Sequence, residues 1–84
     1  MIKKKIEIQI YSKPDCHLCT EVKKTIQNVA KDFELRIEEI NILDSESLYE
    51  KFKFEIPVIY INGRKAFKFQ VSAQSLIQRL KSEV

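Results

Sequence analysis

The sequence Ile-Glu-Ile-Gln-Ile-Tyr-Ser-Lys-Pro-Asp-Cys-His-Leu-Cys at residues 6–19 contains the clearest change of pattern in this 84-residue chain. Apolar and polar residues alternate at its start, which predicts a β-strand. After residues 12–15 the apolar residues recur every three or four positions, which predicts an amphipathic helix of about four turns. This helix places one apolar stripe inward: Cys19, Val22, Ile26 and Val29. Two cysteines therefore lie where a strand turns into a helix.

The chain that follows this helix predicts a second strand and a short second helix. Leu35, Ile37 and Ile40 indicate a strand from about residue 34 to residue 42. Asp44 is a suitable N-cap for a helix that places Leu48 and Phe52 inward.

The last third of the chain predicts a β-hairpin and a closing helix. The β-rich run 56–61 leads into Asn62-Gly63, a strong hairpin signal because both turn positions need positive φ. Residues 65–69 form the return strand, and Ser72 can cap a final helix. The buried face of that helix consists of Leu76, Ile77 and Leu80.

The element order is therefore β-α-β-α-β-β-α, which predicts an α/β fold in one domain spanning residues 1–84. The first two strands are joined by a helix and should pair in parallel, whereas the last two form an antiparallel hairpin. A four-stranded mixed sheet flanked by helices follows. A central strand covered on both faces should be apolar throughout, so Glu7 and Gln9 imply either an open face or a different register.

Cys16 and Cys19 have the C-x-x-C spacing of a redox-active pair. The spacing puts both sulfur atoms on one side of the first helical turn, near disulfide distance. Cys16 lies beside the free N–H groups of the helix start, which favour its thiolate. Cys19 lies one turn further and should be more buried. We therefore expect Cys16 to attack a substrate disulfide and Cys19 to resolve the mixed disulfide.

Charged neighbours of Cys16 act in opposite directions. Lys13 and a protonated His17 favour the thiolate, whereas Asp15 opposes it unless its carboxylate caps the helix. His17 has a second interpretation, as an exposed residue of the helix start with no catalytic role.

Other roles for the cysteine pair are a zinc site and an inert structural disulfide. A structural zinc ion needs four protein ligands, and adjacent cysteine and histidine residues rarely bind one metal, so a zinc role requires a second chain. An iron–sulfur cluster bridged by two chains through Cys16 is a further alternative. We expect no bound metal and no resident cofactor.

Ile56-Pro57-Val58 is the second unusual motif, because proline at the start of a buried strand lacks a hydrogen-bond donor for the sheet. A cis Ile56–Pro57 bond explains the motif, and a trans proline on an edge strand is the other interpretation.

These motifs together resemble the thioredoxin superfamily and, within it, the glutaredoxin branch. The resemblance covers nearly the whole chain and is closest to small glutaredoxin-like proteins with Cys-His-Leu-Cys. It implies that Cys16 is the nucleophile, that Cys19 resolves, and that Pro57 is a cis-proline facing the cysteines. It also implies that Ile56 offers its backbone to substrate and that Lys13 stabilises the thiolate and can meet a glutathione carboxylate. Leu18, between the cysteines, is assigned to substrate binding with Ile56 and Pro57.

The chain departs from glutaredoxins at two places. His17 and Leu18 replace the usual Pro-Tyr, and residues 69–73 contain neither the Gly-Gly pair nor the acid that hold glutathione. We therefore expect thiol–disulfide exchange with protein or small-molecule disulfides, with glutathione a less favoured co-substrate. A glutathione-dependent glutaredoxin is the alternative.

Composition and charge limit the partners. The chain is 44% hydrophobic and 32% charged, with a formal net charge of +3, which is typical of a globular domain. No aromatic-basic face of the kind found in nucleic-acid sites follows Lys3, Lys4 and Lys5. The sequence also contains no long apolar run of the kind that predicts a signal peptide or a membrane helix. We expect a cytoplasmic monomer that binds no nucleic acid or membrane. Its partners are a disulfide substrate and an electron donor, either a reductase or glutathione.

Overall fold

Four strands and three α-helices make up residues 5–83, the part of the chain that the computed structural model describes. The strands are β1 (Ile6–Ser12), β2 (Leu35–Asn41), β3 (Val58–Ile61) and β4 (Arg64–Lys68). The helices are α1 (His17–Val29), α2 (Glu46–Phe52) and α3 (Ala73–Lys81). Short 3-10 turns at Ala30–Asp32 and Ile42–Asp44 follow α1 and β2. Of the predicted N-terminal lysines, Lys3 and Lys4 lie outside the described residues.

The strands form one mixed sheet in the order β2-β1-β3-β4. β1 pairs in parallel with β2 and antiparallel with β3, and β3 pairs antiparallel with β4. The predicted parallel crossover and hairpin are therefore confirmed. Because β3 inserts beside β1, the end of β1 and the start of β3 lie side by side, with Tyr11 opposite Val58.

The main hydrophobic core lies between one face of the sheet and the helices α1 and α3. The three isoleucines of β1 at positions 6, 8 and 10 point into it. They meet the apolar stripe of α1 and the inward face of α3, which includes Val22, Ile26, Val29, Leu76 and Leu80. The stripe predicted for α1 is confirmed residue by residue, since Cys19, Val22, Ile26 and Val29 are its buried residues.

A smaller core lies on the other face, under α2. Phe52 is 2% exposed and packs with Ile42 and Val58, and the half-buried Leu48 and Ile56 pack against them. Phe52 also contacts two tyrosines of the sheet, Tyr11 and Tyr60, with ring centroids 4.5 and 6.1 Å away. Helix α2 has only seven residues, so it covers only one end of this face.

The uncovered part of that face explains the polar residues of β1. Glu7 is exposed and Gln9 is half-buried, while the isoleucines between them fill the opposite core. Gln9 Nε2 donates to Glu38 on β2 at 3.3 Å, and Asn62 Oδ1 accepts the Glu7 N–H at 3.0 Å. The partly open face, rather than a different register, is therefore the correct interpretation of Glu7 and Gln9.

Two element boundaries differ from the sequence prediction, those of the last strand and of α2. Strand β4 spans Arg64–Lys68 rather than residues 65–69, so Phe69 follows the strand. The N-cap of α2 is Ser45, whose Oγ accepts the Leu48 N–H at 3.5 Å, and Asp44 instead ends the preceding 3-10 turn. Within the β-rich run 56–61, strand β3 itself spans Val58–Ile61. Proline has no N–H to donate to a neighbouring strand, so Pro57 precedes the ladder.

The predicted turn and cap at the C-terminal end of the chain are confirmed. Asn62 and Gly63 both have positive φ, 49° and 81°, and connect β3 to β4. Ser72 caps α3, because its Oγ accepts the Ser75 N–H at 3.1 Å.

Candidate active site

Cys16 is the N-cap residue of α1. Its backbone is extended, with φ −105° and ψ 108°, and its Sγ accepts the Cys19 N–H at 3.2 Å. The sulfur atom therefore occupies the place of a capping oxygen, next to the unpaired N–H groups of the first turn. A negative charge there is stabilised by these N–H groups and by the helix dipole. Asp15 does not take the capping position.

The two cysteines are paired and differ in their exposure. They form a disulfide with a Cα–Cα distance of 5.2 Å, within the usual range for such bonds. Cys16 is partly exposed, whereas Cys19 is 1% exposed and belongs to the buried stripe of α1. A molecule from solvent can therefore reach Cys16, while Cys19 faces the protein interior.

This asymmetry predicts selective alkylation of the reduced protein. After brief exposure to iodoacetamide, peptide mapping should find Cys16 modified at least about ten times faster than Cys19. In the matched variant Cys16→Ser, the remaining thiol should react slowly because burial still covers it. Preferential modification of Cys19 in the wild-type protein would contradict the assignment.

Ile56 and Pro57 lie at the end of the sheet from which the Cys16 loop leaves. Val58 pairs with Tyr11 near the end of β1, so the two residues before Val58 lie beside the start of the loop 13–16. The Ile56–Pro57 peptide bond is cis. Pro57 is buried, and its carbonyl accepts the Phe69 N–H at 2.9 Å.

The other predicted site residues, Lys13, His17 and Leu18, flank Cys16 on the surface. Lys13 is exposed in the loop before α1. The His17 side chain is 85% exposed, and its Nε2 lies 3.8 Å from the carboxylate of Glu21. Leu18 is 42% exposed. The roles of these three residues stay predictions.

Two further residues at this end of the sheet were missed in the sequence. Phe69 has φ 69°, a conformation rare for a bulky residue, and is 41% exposed. Glu55, next to Ile56, accepts from Lys65 at 3.0 Å and from Lys68 at 3.5 Å. The hydrogen bond from Lys65 holds the pKa of Glu55 below its usual value. Lys65 and Lys68 lie on the predicted return strand of the hairpin, so the sequence could have indicated that they come near Glu55. No neighbouring residue in the sequence indicates the positive φ of Phe69.

Within residues 5–83, no group of three or more His, Cys, Asp or Glu side chains is arranged to hold a metal ion. None of the helices described there combines the length and apolar character needed to span a membrane.

A C-x-x-C pair at the start of the first helix and a β2-β1-β3-β4 sheet, in which a cis-proline precedes β3, define a protein of the thioredoxin-fold class. Comparison with known families makes this more specific. The model of the glutaredoxin-like domain family (DUF836) matches residues 7–81, and the chain belongs to this family.

Relatives of known sequence support the same placement. The chain is 32% identical to a protein of Dictyostelium discoideum described as glutaredoxin-like protein YDR286C homolog, over 94% of this chain and 79% of that one. It is 24% identical to a thioredoxin of Methanocaldococcus jannaschii, over 95% of this chain and 98% of that one.

Solved structures agree on the fold. Protein Ne2328 from Nitrosomonas europaea superimposes with a TM-score of 0.80 at 18% identity, over 94% of this chain and 95% of that one. Thioredoxin-2 of a malaria parasite gives a TM-score of 0.71 at 20% identity, over 98% of this chain and 86% of that one. The predicted four-stranded α/β fold of the thioredoxin type is therefore confirmed.

Proposed function

We propose that this protein is a thiol–disulfide oxidoreductase that reduces or exchanges disulfides of proteins or small molecules. The observation that carries the proposal is the position of the Cys16 sulfur at the N-cap of α1, where it accepts the Cys19 N–H. The partial exposure of Cys16 and the burial of Cys19 support separate roles for attack and resolution.

In the proposed cycle, the Cys16 thiolate attacks one sulfur atom of a substrate disulfide. The other substrate sulfur leaves as a thiolate and takes a proton from water. Cys19 then loses its proton and attacks the Cys16 sulfur, which releases the second substrate thiol and forms the Cys16–Cys19 disulfide. Two electrons pass from the dithiol to the substrate, and an external thiol or a reductase returns them.

The neighbouring residues have supporting roles in this proposal. Lys13 and a protonated His17 contribute positive charge near the Cys16 thiolate. Ile56 and Pro57 provide the surface beside which an extended substrate segment lies, and Leu18 contacts its side chains. The protein acts as a monomer in the reducing cytoplasm, where the cysteine pair is held as a dithiol.

The test of the proposal combines turnover with a reduction potential. The purified protein should accelerate the reduction of insulin by dithiothreitol, followed as turbidity of the released chains. Equilibration with defined ratios of reduced and oxidised glutathione, followed by thiol trapping, gives the potential of the Cys16–Cys19 pair and separates a reductant from an oxidant. Absence of any acceleration with insulin and with a small-molecule disulfide, with the pair fully reducible, would exclude the function.

We expect weak binding of glutathione, with a Kd of about 1 mM or weaker. The first reason is that residues 69–73 carry neither a glycine pair nor an acid. The second is that Lys65 and Lys68 already pair with Glu55, so they are less available to a carboxylate of glutathione. Calorimetric titration of the Cys16→Ser variant with reduced glutathione measures affinity without thiol exchange. A dithiol glutaredoxin with the same cysteine substitution is the control. A saturable complex in the micromolar range would favour the glutathione-dependent alternative.

A further inference from the structure

The two edge strands of the sheet differ in length, regularity and charge. In the sheet formed by residues 5–83, β2 and β4 each have only one neighbouring strand. An edge strand presents backbone N–H and C=O groups to any further strand, unless its length, its shape or its charges prevent pairing. Such protection is present on β4 and not on β2.

Strand β4 is protected in two ways. It has only five residues, and its register with β3 shifts between Ile59 and Tyr60, which makes the pairing irregular. Its charges also have one sign. An antiparallel pair of two β4 strands centred on Ala66 would place Arg64 of one copy opposite Lys68 of the other, and like charges opposite each other are destabilising.

Strand β2 has neither kind of protection. All seven residues of Leu35–Asn41 pair with β1 in one unbroken register. Residues 36–39 are exposed, and their charges have both signs. Arg36 and Glu38 flank Ile37, and within residues 5–83 neither of them takes part in an ion pair.

Arg36 and Glu38 lie on the same face of the sheet, because residues two positions apart in a strand point to the same side. Their partners on β1 are Glu7 and Gln9, so this is the face that α2 leaves partly uncovered. Gln9 Nε2 donates to Glu38 at 3.3 Å. A further strand beside β2 could therefore contact Arg36 and Glu38 together.

Ile37 lies on the opposite face, next to the main core. Its partner on β1, Ile8, is fully buried in that core, whereas Ile37 is 41% exposed. Glu39, on the same face, binds Lys23 of α1. Helix α1 therefore reaches β2 at Glu39 but leaves much of Ile37 uncovered, at the outer edge of the apolar layer.

Two-fold symmetry selects one register for two β2 strands. An axis that relates two antiparallel strands places one residue opposite its own copy, and side chains that are directly opposite interact. A centre at Arg36 or at Glu38 places like charges opposite each other. A centre at Ile37 places the two isoleucines opposite each other and sets Arg36 of each copy opposite Glu38 of the other.

We infer that the β2 edge is a self-association surface, through which two copies of this chain pair antiparallel around Ile37. The four-stranded sheets join into one sheet of eight strands. Backbone hydrogen bonds hold the two strands, the isoleucines lose water-exposed apolar surface, and two Arg36–Glu38 pairs fix the register. Because the contact is two-fold, it closes at the dimer and leaves no β2 edge free.

The dimer is separate from the candidate active site. Ile37 lies opposite Ile8 in the middle of β1, whereas the loop to Cys16 leaves from the end of that strand, after Ser12. Each copy keeps its own cysteine pair, so the single chain stays the catalytic unit. One strand from each copy makes a small interface, and we expect a dissociation constant of about 10–100 µM.

The test is sedimentation velocity of the wild-type protein between about 1 µM and 1 mM, a range that brackets this dissociation constant. A reductant is present throughout, so that no disulfide joins two copies. We expect a reversible change from monomer to dimer across this range, with no larger species.

Charge reversals assign the contact to β2 and to its register. Arg36→Glu and Glu38→Arg should each weaken the dimer at least about tenfold, because each places like charges opposite each other at two symmetric positions. The double variant restores opposite charges and should return the dissociation constant to within about threefold of wild type. Arg64→Glu is the matched control, since it makes the same change of charge at an exposed position of β4 and should leave the dimer unchanged.

Three results would overturn the inference, with circular dichroism showing that each variant is folded. The first is a wild-type protein that stays monomeric up to about 1 mM. The second is a double variant that associates no better than the single variants. The third is growth beyond the dimer that Arg64→Glu weakens, which would mean that β2 of one copy pairs with β4 of the next. None of these results depends on the oxidoreductase function.

Discussion

Replacement of Cys16 by serine is expected to lower kcat/KM for disulfide reduction by at least about 1,000-fold, equivalent to about 4 kcal/mol of transition-state stabilisation. A serine hydroxyl is not ionised at neutral pH and cannot form the mixed disulfide, so the first step of the cycle is lost. The helix cap should survive, because a serine oxygen accepts the Cys19 N–H as the sulfur does. The measurement is insulin reduction, with circular dichroism to show that the variant is folded.

The matched variant Cys19→Ser should behave differently from Cys16→Ser. Its Cys16 can still attack, but no second thiol releases the substrate, so a mixed disulfide through Cys16 should accumulate. Mass spectrometry detects this adduct and locates it by peptide mapping. Two results would contradict the assignment of the two roles. They are appreciable insulin reduction by the Cys16→Ser variant, and a substrate adduct at Cys19 in the Cys16→Ser variant.

Replacement of Phe52 by alanine is expected to destabilise the fold by about 3–5 kcal/mol. Phe52 is 2% exposed and fills the core under α2, where its ring contacts Tyr11 at 4.5 Å between centroids. Burial here also raises the pKa of Tyr11, with smaller contributions from Tyr60 and Glu38. Helix α2 is short, Phe52 is its buried residue, and Leu48 is only half-buried in this core. Thermal unfolding should show a fall in Tm of at least about 12 °C.

The control for Phe52→Ala lies two residues further along the chain. Phe54 is 83% exposed, so Phe54→Ala should change the free energy of unfolding by no more than about 0.5 kcal/mol. Urea titrations of both variants give the comparison. Equal destabilisation by the two substitutions would mean that the core under α2 does not hold this end of the sheet.

Loss of that core should also weaken substrate reduction, because Ile56 packs in it.

Much of the fold follows from local pattern. The alternation in β1, the stripe of α1, the Asn62-Gly63 turn and the Ser72 cap are each encoded within a few residues, and each is present in the structure. The change from strand to helix at Cys16 is encoded in the same way. The error at the cap of α2 is also local in origin, because Asp44 and Ser45 are both good caps and only the 3-10 turn before α2 selects Ser45.

The uncovered part of the sheet face could not be derived from the sequence, although Glu7 and Gln9 indicated it. How much of a face is covered depends on where a seven-residue helix docks, and that is set by contacts between residues far apart in the chain. Polar residues in a central strand left two interpretations, an open face or a different register. The position of α2 decided for the open face.

The sequence by itself determined the element order and placed Cys16 and Cys19 at a helix start, because periodicity, capping and turn preferences act over short stretches of chain. The tertiary structure alone decided that β3 inserts beside β1, that Phe69 is fixed to Pro57 in a positive-φ conformation, and that Glu55 pairs with Lys65 and Lys68. These features depend on strand order and register. Strand order and register are set by burial of the whole apolar surface at once, so no single segment contains them.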